Sequence, residues 1–139
     1  MRARGADADD EGSVLVLTLG YALLALVLVL VCVDATSLYL TQKRADAAAD
    51  AAALAGADGF TLTIEGGGPV ARLSDDGVHA QAAELLDALG TARLVSASTP
   101  DGVSARVRVE VDWRPPVLAL FVPDGWTLGA TATSRTALR

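Results

Sequence analysis

The sequence is poor in the residues that chemistry most often uses. Cysteine and histidine occur once each, as Cys32 and His79. A single cysteine excludes a disulfide framework and a cysteine-based metal site within one chain. His79 has no cysteine or serine partner in a recognisable motif, so no catalytic constellation can be assembled around it. Lysine also occurs once, as Lys43, and the net charge is −6. Clustered Lys and Arg, which nucleic-acid binders need, are therefore missing. Aromatics number six, two each of Phe, Trp and Tyr, which leaves little bulk for a core. At 139 residues the chain has room for one small domain and not two. A soluble remainder below about 100 residues is marginal alone, so support from a partner or a membrane is expected. No enzyme activity, cofactor, metal or small-molecule substrate is expected either.

What the chain does have is apolar length. Residues Ser13 to Val33 carry no charge and no proline, and 14 of these 21 are Leu or Val. At the helical rise the run covers roughly 31 Å, matching a hydrocarbon core of about 30 Å. A chain this small cannot bury a helix that is apolar all round. The run therefore predicts one transmembrane helix. A cleaved signal peptide is the competing reading, but its apolar region is usually about 7–15 residues behind a basic start. Here Arg2 and Arg4 face Asp7, Asp9, Asp10 and Glu11, and Val33-Asp34-Ala35 makes a weak cleavage site. Arg2 and Arg4 favour a cytoplasmic N-terminus while Lys43 and Arg44 oppose it, so charge alone does not orient the helix.

The helix is expected to continue past the membrane surface. Nine of the 13 residues from Ala45 to Ala57 are alanine, the best helix former. Gly56 and Asp58-Gly59 supply the stop. Ala45, Ala48, Ala49, Ala52 and Ala53 form a stripe of small side chains, the kind of surface that lets another helix approach closely. The expectation is a packing face for a neighbouring subunit, against the plainer reading of an exposed stalk.

Beyond it, residues 59 to 74 read as irregular around the Gly66-Gly67-Gly68-Pro69 break, which lacks the Gly-Lys-Ser/Thr of a phosphate loop. A second helix is predicted from Asp75 to Leu89, capped by Ser74 and ended by Gly90, with Val78, Ala82, Leu85, Leu86 and Leu89 on one stripe. Strands follow at 93–98 and 103–113, joined by the Pro100-Asp101-Gly102 turn. In the second strand Val103, Ala105, Val107, Val109, Val111 and Trp113 alternate with Ser104, Arg106, Arg108, Glu110 and Asp112, an antiparallel pattern with one wet face. After Pro115-Pro116 and a short apolar segment at 117–122, residues Trp126 to Leu138 read as a last strand. The fold class is α+β. A long transmembrane helix with an Ala-rich stalk precedes a small helix and about three antiparallel strands. The expected divisions are a leader-like segment 1–12, the transmembrane helix 13–33, the extension 34–57 and a small domain 58–139.

The remaining polar candidates have plain readings. Asp46 and Asp50 lie one helical turn apart, but two carboxylates alone make a poor cation site. Asp75 and Asp76 serve as caps. Asp34 closes the apolar run as an interfacial carboxylate. Arg106 and Arg108 share their face with Glu110 and Asp112, so that face is mixed and not a basic patch. Cys32 is a small hydrophobe.

One stretch is more specific than its composition. Val33-Asp34-Ala-Thr-Ser-Leu-Tyr39-Leu-Thr-Gln-Lys-Arg44 runs into Ala45-Asp-Ala-Ala-Ala-Asp50-Ala-Ala-Ala-Leu54-Ala-Gly56-Ala57. It closely resembles the N-terminal region of the TadE/TadG type of Tad (tight adherence, Flp pilus) assembly proteins. Asp34, Tyr39, Arg44, Asp50, Leu54 and Gly56 stand at the matching places, and residues 103–139 are loosely similar to the family's C-terminal portion. The resemblance implies a minor, pilin-like membrane protein that helps build a pilus or secretion apparatus. Its N-terminus would be cytoplasmic and its domain extracytoplasmic, and its partners would be the bilayer and other Tad or pilin-like subunits. It also implies possible prepilin-type cleavage at Gly12-Ser13, although Leu17 stands where the usual glutamate of the fifth mature position would be. The alternatives are a membrane-anchored extracellular binding module and a small secreted protein freed from a signal peptide.

Overall fold

The computed structural model describes residues 6–135. Part of the expected leader segment, residues 1–5, and the end of the expected last strand, residues 136–138, lie outside the described residues, as does residue 139. Helix α1 spans Ala6–Asp58, 53 residues, roughly 80 Å of continuous helix. Beyond the acidic residues of its start, its chemistry changes along its length, from Leu and Val without charge to alanine with charged residues between. It stops where Gly59 follows, whose N–H bonds back to the Gly56 carbonyl at 3.2 Å.

Strands β1 (Thr61–Glu65) and β2 (Gly68–Arg72) form an antiparallel hairpin. Helix α2 covers Asp75–Leu89; the Ser74 hydroxyl caps it by accepting from the Gly77 N–H, and Gly90 ends it at φ 62° with its N–H on the Leu86 carbonyl. Strands β3 (Arg93–Ser98), β4 (Ser104–Trp113) and β5 (Trp126–Arg135) form an antiparallel sheet in the order β3-β4-β5. The fold is α+β, with a long apolar N-terminal helix, a second helix and two small sheets. The hairpin at 61–72 corrects the irregular reading of that stretch, and the apolar 117–122 segment contains a single 3-10 turn at Leu118–Leu120.

Both helices lie on one face of the three-stranded sheet. Helix α1 crosses β4 and β5, and α2 packs against α1 and β3. The β4 alternation decides which face is inward. Ala105, Val107 and Val109 are fully buried and Trp113 nearly so, while Arg106 and Arg108 stay exposed. On the wet face Arg93 pairs with Glu110 directly across the ladder, at 2.8 Å. The core consists of Ala45, Ala48, Ala49, Ala52, Ala53 and Ala57 from α1, Val78, Ala82 and Leu86 from α2, and the inner residues of β4 and β5. Close approach replaces bulk. A Cβ on Gly56 would sit 2.9 Å from Val78 Cγ1 and 3.3 Å from the Ala105 Cβ. Only glycine lets α1, α2 and β4 meet there.

The expected packing stripe is therefore filled from within. Ala45, Ala48, Ala49, Ala52 and Ala53 are at most 5% exposed. Their partners are this chain's own α2, β4 and β5, and a face closed that tightly has no room for a neighbouring subunit. The expected division at 57/58 cuts through this core: the end of α1 is as much part of the domain as the sheet that covers it.

At the β3–β4 turn, Asp101 accepts from the Val103 N–H at 3.0 Å, the Ser104 N–H at 2.6 Å and the Ser104 hydroxyl at 2.8 Å. The backbone bond from Val103, followed by the Ser104 hydroxyl, holds its carboxyl below the usual carboxylate value. A carboxyl lowered in the folded state contributes stability above the unfolded value, and that contribution disappears as pH falls through the folded one. Thermal melts should therefore show stability falling as pH drops below about 4. Asp101→Asn, which cannot accept this set of bonds, should melt lower than the native chain at pH 7 and lose part of the acid dependence. Identical pH profiles for the two proteins would show that the turn does not depend on this carboxylate.

Candidate functional site

The sequence motif shared with the resembling family splits across two faces of α1. Asp34 and Gly56 point inward and are buried, whereas Tyr39, Arg44, Asp50 and Leu54 are exposed. Tyr39 is 61% and Leu54 59% exposed. Tyr39, Asp50 and Leu54 fall within about 60° of one another around the helix, at 100° per residue. The inner group holds the chain's own domain, and the outer group lines the side of α1 opposite the sheet. Arg44 lies at the border of the two faces.

Asp34 is not an ordinary interfacial carboxylate. It is 5% exposed, and its Oδ1 accepts the Val117 N–H at 3.1 Å. Its Oδ2 is buried without a partner. One turn further along, the Ser37 hydroxyl accepts the Trp113 indole N–H at 3.1 Å. These two contacts fasten the loop between β4 and β5 to α1 immediately after the apolar run. Helix α1 continues unbroken through Val33-Asp34-Ala35, so the weak cleavage sequence lies within a helix whose aspartate is occupied. Gln42 bridges α1 to β5 by donating to the Gly129 carbonyl at 3.3 Å and to Asp46 at 3.0 Å. With Lys43 3.2 Å away, Asp46 is held below its usual value chiefly by Gln42 and then by Lys43. Asp46 is thus engaged on its own turn, and Asp50 is exposed.

The Trp113 contact also fixes direction. Ala105 lies beside Gly56 and Trp113 beside Ser37. The 19 helical steps from Ser37 to Gly56 measure roughly 28 Å and the eight strand steps from Ala105 to Trp113 roughly 27 Å. Strand β4 therefore runs antiparallel to α1, back toward the apolar segment. The end of the domain near that segment carries the β4–β5 loop. The far end carries the Asp101 turn and the 61–72 hairpin, where Leu62 and Ile64 share an exposed face.

From Gly12 onward the first part of α1 has no cover from the rest of the chain. Its apolar window is 0% buried, and it is long and apolar enough to cross a membrane. Gly12 and Ser13 are exposed and helical. His79 and Glu84 are exposed on α2, off its buried stripe. Among the described residues, no group of three His, Cys, Asp or Glu side chains comes together.

Residues 12–59 match the Tad family model, described as "Putative Flp pilus-assembly TadE/G-like". The match covers about a third of the chain: the apolar segment and the alanine-rich continuation, with every motif residue from Asp34 to Gly56 inside it. No curated protein and no solved structure matches the chain.

Proposed function

We propose that this chain, with its TadE/G-like N-terminal region, is a minor pilin-like structural subunit. It would be anchored by a single transmembrane helix and take part in assembling a Tad/Flp-type pilus or related secretion apparatus. The observation that carries the reading is the family match over residues 12–59, which ends where α1 ends. The segment resembling the family thus joins an apolar anchor to the helix that organises the domain. The domain is extracytoplasmic in this reading, with the N-terminus in the cytoplasm, as the family resemblance implies.

The alanine stripe is occupied, so contact with other Tad or pilin-like subunits falls to the opposite side of α1. Tyr39 and Leu54 are large, apolar and exposed there, and neither has work to do inside the domain. A cysteine at Leu54 in a Cys32→Ala background, treated in intact cells with a membrane-impermeant crosslinker that carries a maleimide for this thiol and a sulfonated succinimidyl ester for amines of a neighbour, should crosslink to neighbouring subunits of the apparatus identified by mass spectrometry. Crosslinks formed only after lysis would reverse the topology. Efficient modification at Leu54 with no crosslinked neighbour would remove the assembly role of this face.

A further inference from the structure

We infer that the β4–β5 loop is a second membrane contact, an apolar foot that seats the domain on the lipid surface beside the point where α1 emerges. The inference rests on the reading of residues 13–33 as the membrane anchor.

The loop is unusual in what it exposes. Leu120 is 91% and Phe121 81% exposed, and Trp126, the first residue of β5, is 58% exposed. Scattered apolar residues on a surface need no explanation, but a contiguous exposed apolar patch marks a contact with a protein or a membrane. Here the position selects the membrane. The Val117 N–H bonds to Asp34 and the Trp113 indole to Ser37, one and four residues beyond Val33, where the uncharged run ends. Leu118 to Phe121 follow directly from Val117, so they lie at the level where the helix leaves the hydrocarbon. An exposed leucine and phenylalanine at that depth meet lipid and not bulk water.

The composition suits an interface. Trp and Tyr favour the headgroup level because an apolar ring and a polar edge are both satisfied there. Both tryptophans of the chain are at this end, with ring centroids 5.8 Å apart. Buried Trp113 braces the loop from within, and Trp126, its direct cross-strand partner on the same face of the sheet, is more than half exposed beside it. Arg114 is exposed on the same loop and can extend its guanidinium to lipid phosphate with its stem along apolar surface. The loop is also shaped to stay in place. Gly125 has φ 66°, and a Cβ there would collide with the Trp113 carbonyl, so the return into β5 folds tightly over the end of β4. A single helix leaves a domain free to tilt and swivel; a second contact beside it fixes both.

The test uses the full chain, reconstituted in phosphatidylcholine–phosphatidylglycerol vesicles, with Cys32→Ala as background. Nitroxide labels are attached at Phe121→Cys, at Ile64→Cys on the distal hairpin and at Leu24→Cys in the apolar run. Collision with oxygen, which concentrates in lipid, is compared with collision with a water-soluble nickel chelate. The expected order of lipid character is Leu24 above Phe121 above Ile64, with Phe121 more accessible to oxygen than to the chelate. Phe121 as open to the chelate as Ile64, while Leu24 reads as embedded, would overturn the foot and leave the anchor standing. Leu24 reading as aqueous would overturn the anchor itself. Shielding of Phe121 from both reagents would mean that protein covers the loop, and that result also defeats the proposal.

Discussion

Replacing Ala49 and Ala52 together by leucine should unfold the domain, or leave it with a melting transition far below that of the native chain. Ala49 is 1% and Ala52 0% exposed, within the cluster formed with α2 and the inner face of the sheet. Leucine adds three carbon atoms at each position, and helix propensity hardly changes. The effect is therefore steric. Overpacking a filled core costs about 1–3 kcal/mol per site and occasionally more. Two adjacent sites cannot relax independently, so their costs will not simply add. Small domains hold a net stability of about 5–15 kcal/mol, and the double change removes a large part of it. The measurement is thermal denaturation of the full chain in detergent, with limited proteolysis to follow the sheet. Ala47→Leu is the control, because Ala47 is exposed on the same helix and exposed substitutions usually stay within about 0.5 kcal/mol. Equal stability of the double variant and the control would mean that the alanine face is open and free for a different partner.

That prediction marks where the sequence could be followed and where it could not. The alternation in β4 gave the strand and its two faces, because a period of two is a local property. Ser74, Gly90 and the Val78–Ala82–Leu86 spacing gave α2 for the same reason. The alanine stripe was legible as a packing face. What filled it was not, since Gly56 meets Ala105 across almost fifty residues and small side chains suit a sheet as well as a helix.

The role of Asp34 was hidden likewise. Its partner Val117 is 83 residues away, and no local pattern distinguishes a carboxylate facing water from one capping a distant loop N–H. The hairpin at 61–72 left a signal that was readable. Thr61-Leu-Thr-Ile-Glu65 alternates, and Gly66 and Gly67 take φ 62° and 93° between the paired Glu65 and Gly68. Two residues of positive φ are what the tightest hairpin turn demands, and Gly-Gly supplies them. The third glycine and Pro69 made the stretch look like a break, although proline is tolerated on an edge strand.

Replacing Leu24 and Leu26 by arginine should move the protein out of the membrane fraction. Both leucines are more than half exposed in the chain's own fold, so nothing within the protein compensates for their loss or hides the new charges. Arginine near the centre of a spanning helix costs about 2.5–3.5 kcal/mol to insert, and the pair therefore about 5–7 kcal/mol, before the lost contribution of the leucines is added. The native run gains only tenths of a kcal/mol per Leu or Val, so two central charges offset much of what 14 such residues supply. They also stand two positions apart, on different sides of the helix, and cannot both turn toward a single neighbour. The domain should survive, because its core begins at Ala45, about 30 Å along the helix from the substitutions. A protease-resistant fragment containing the sheet should be recovered from native and variant alike, which separates failed insertion from misfolding. The native chain should remain in the pellet after alkaline carbonate and the variant should appear in the supernatant. Carbonate-resistant pelleting of a folded variant would refute the anchor. Loss of the fragment from the variant alone would instead mean that the domain depends on the membrane to stay folded, and the independence of the core from the apolar segment would then be wrong.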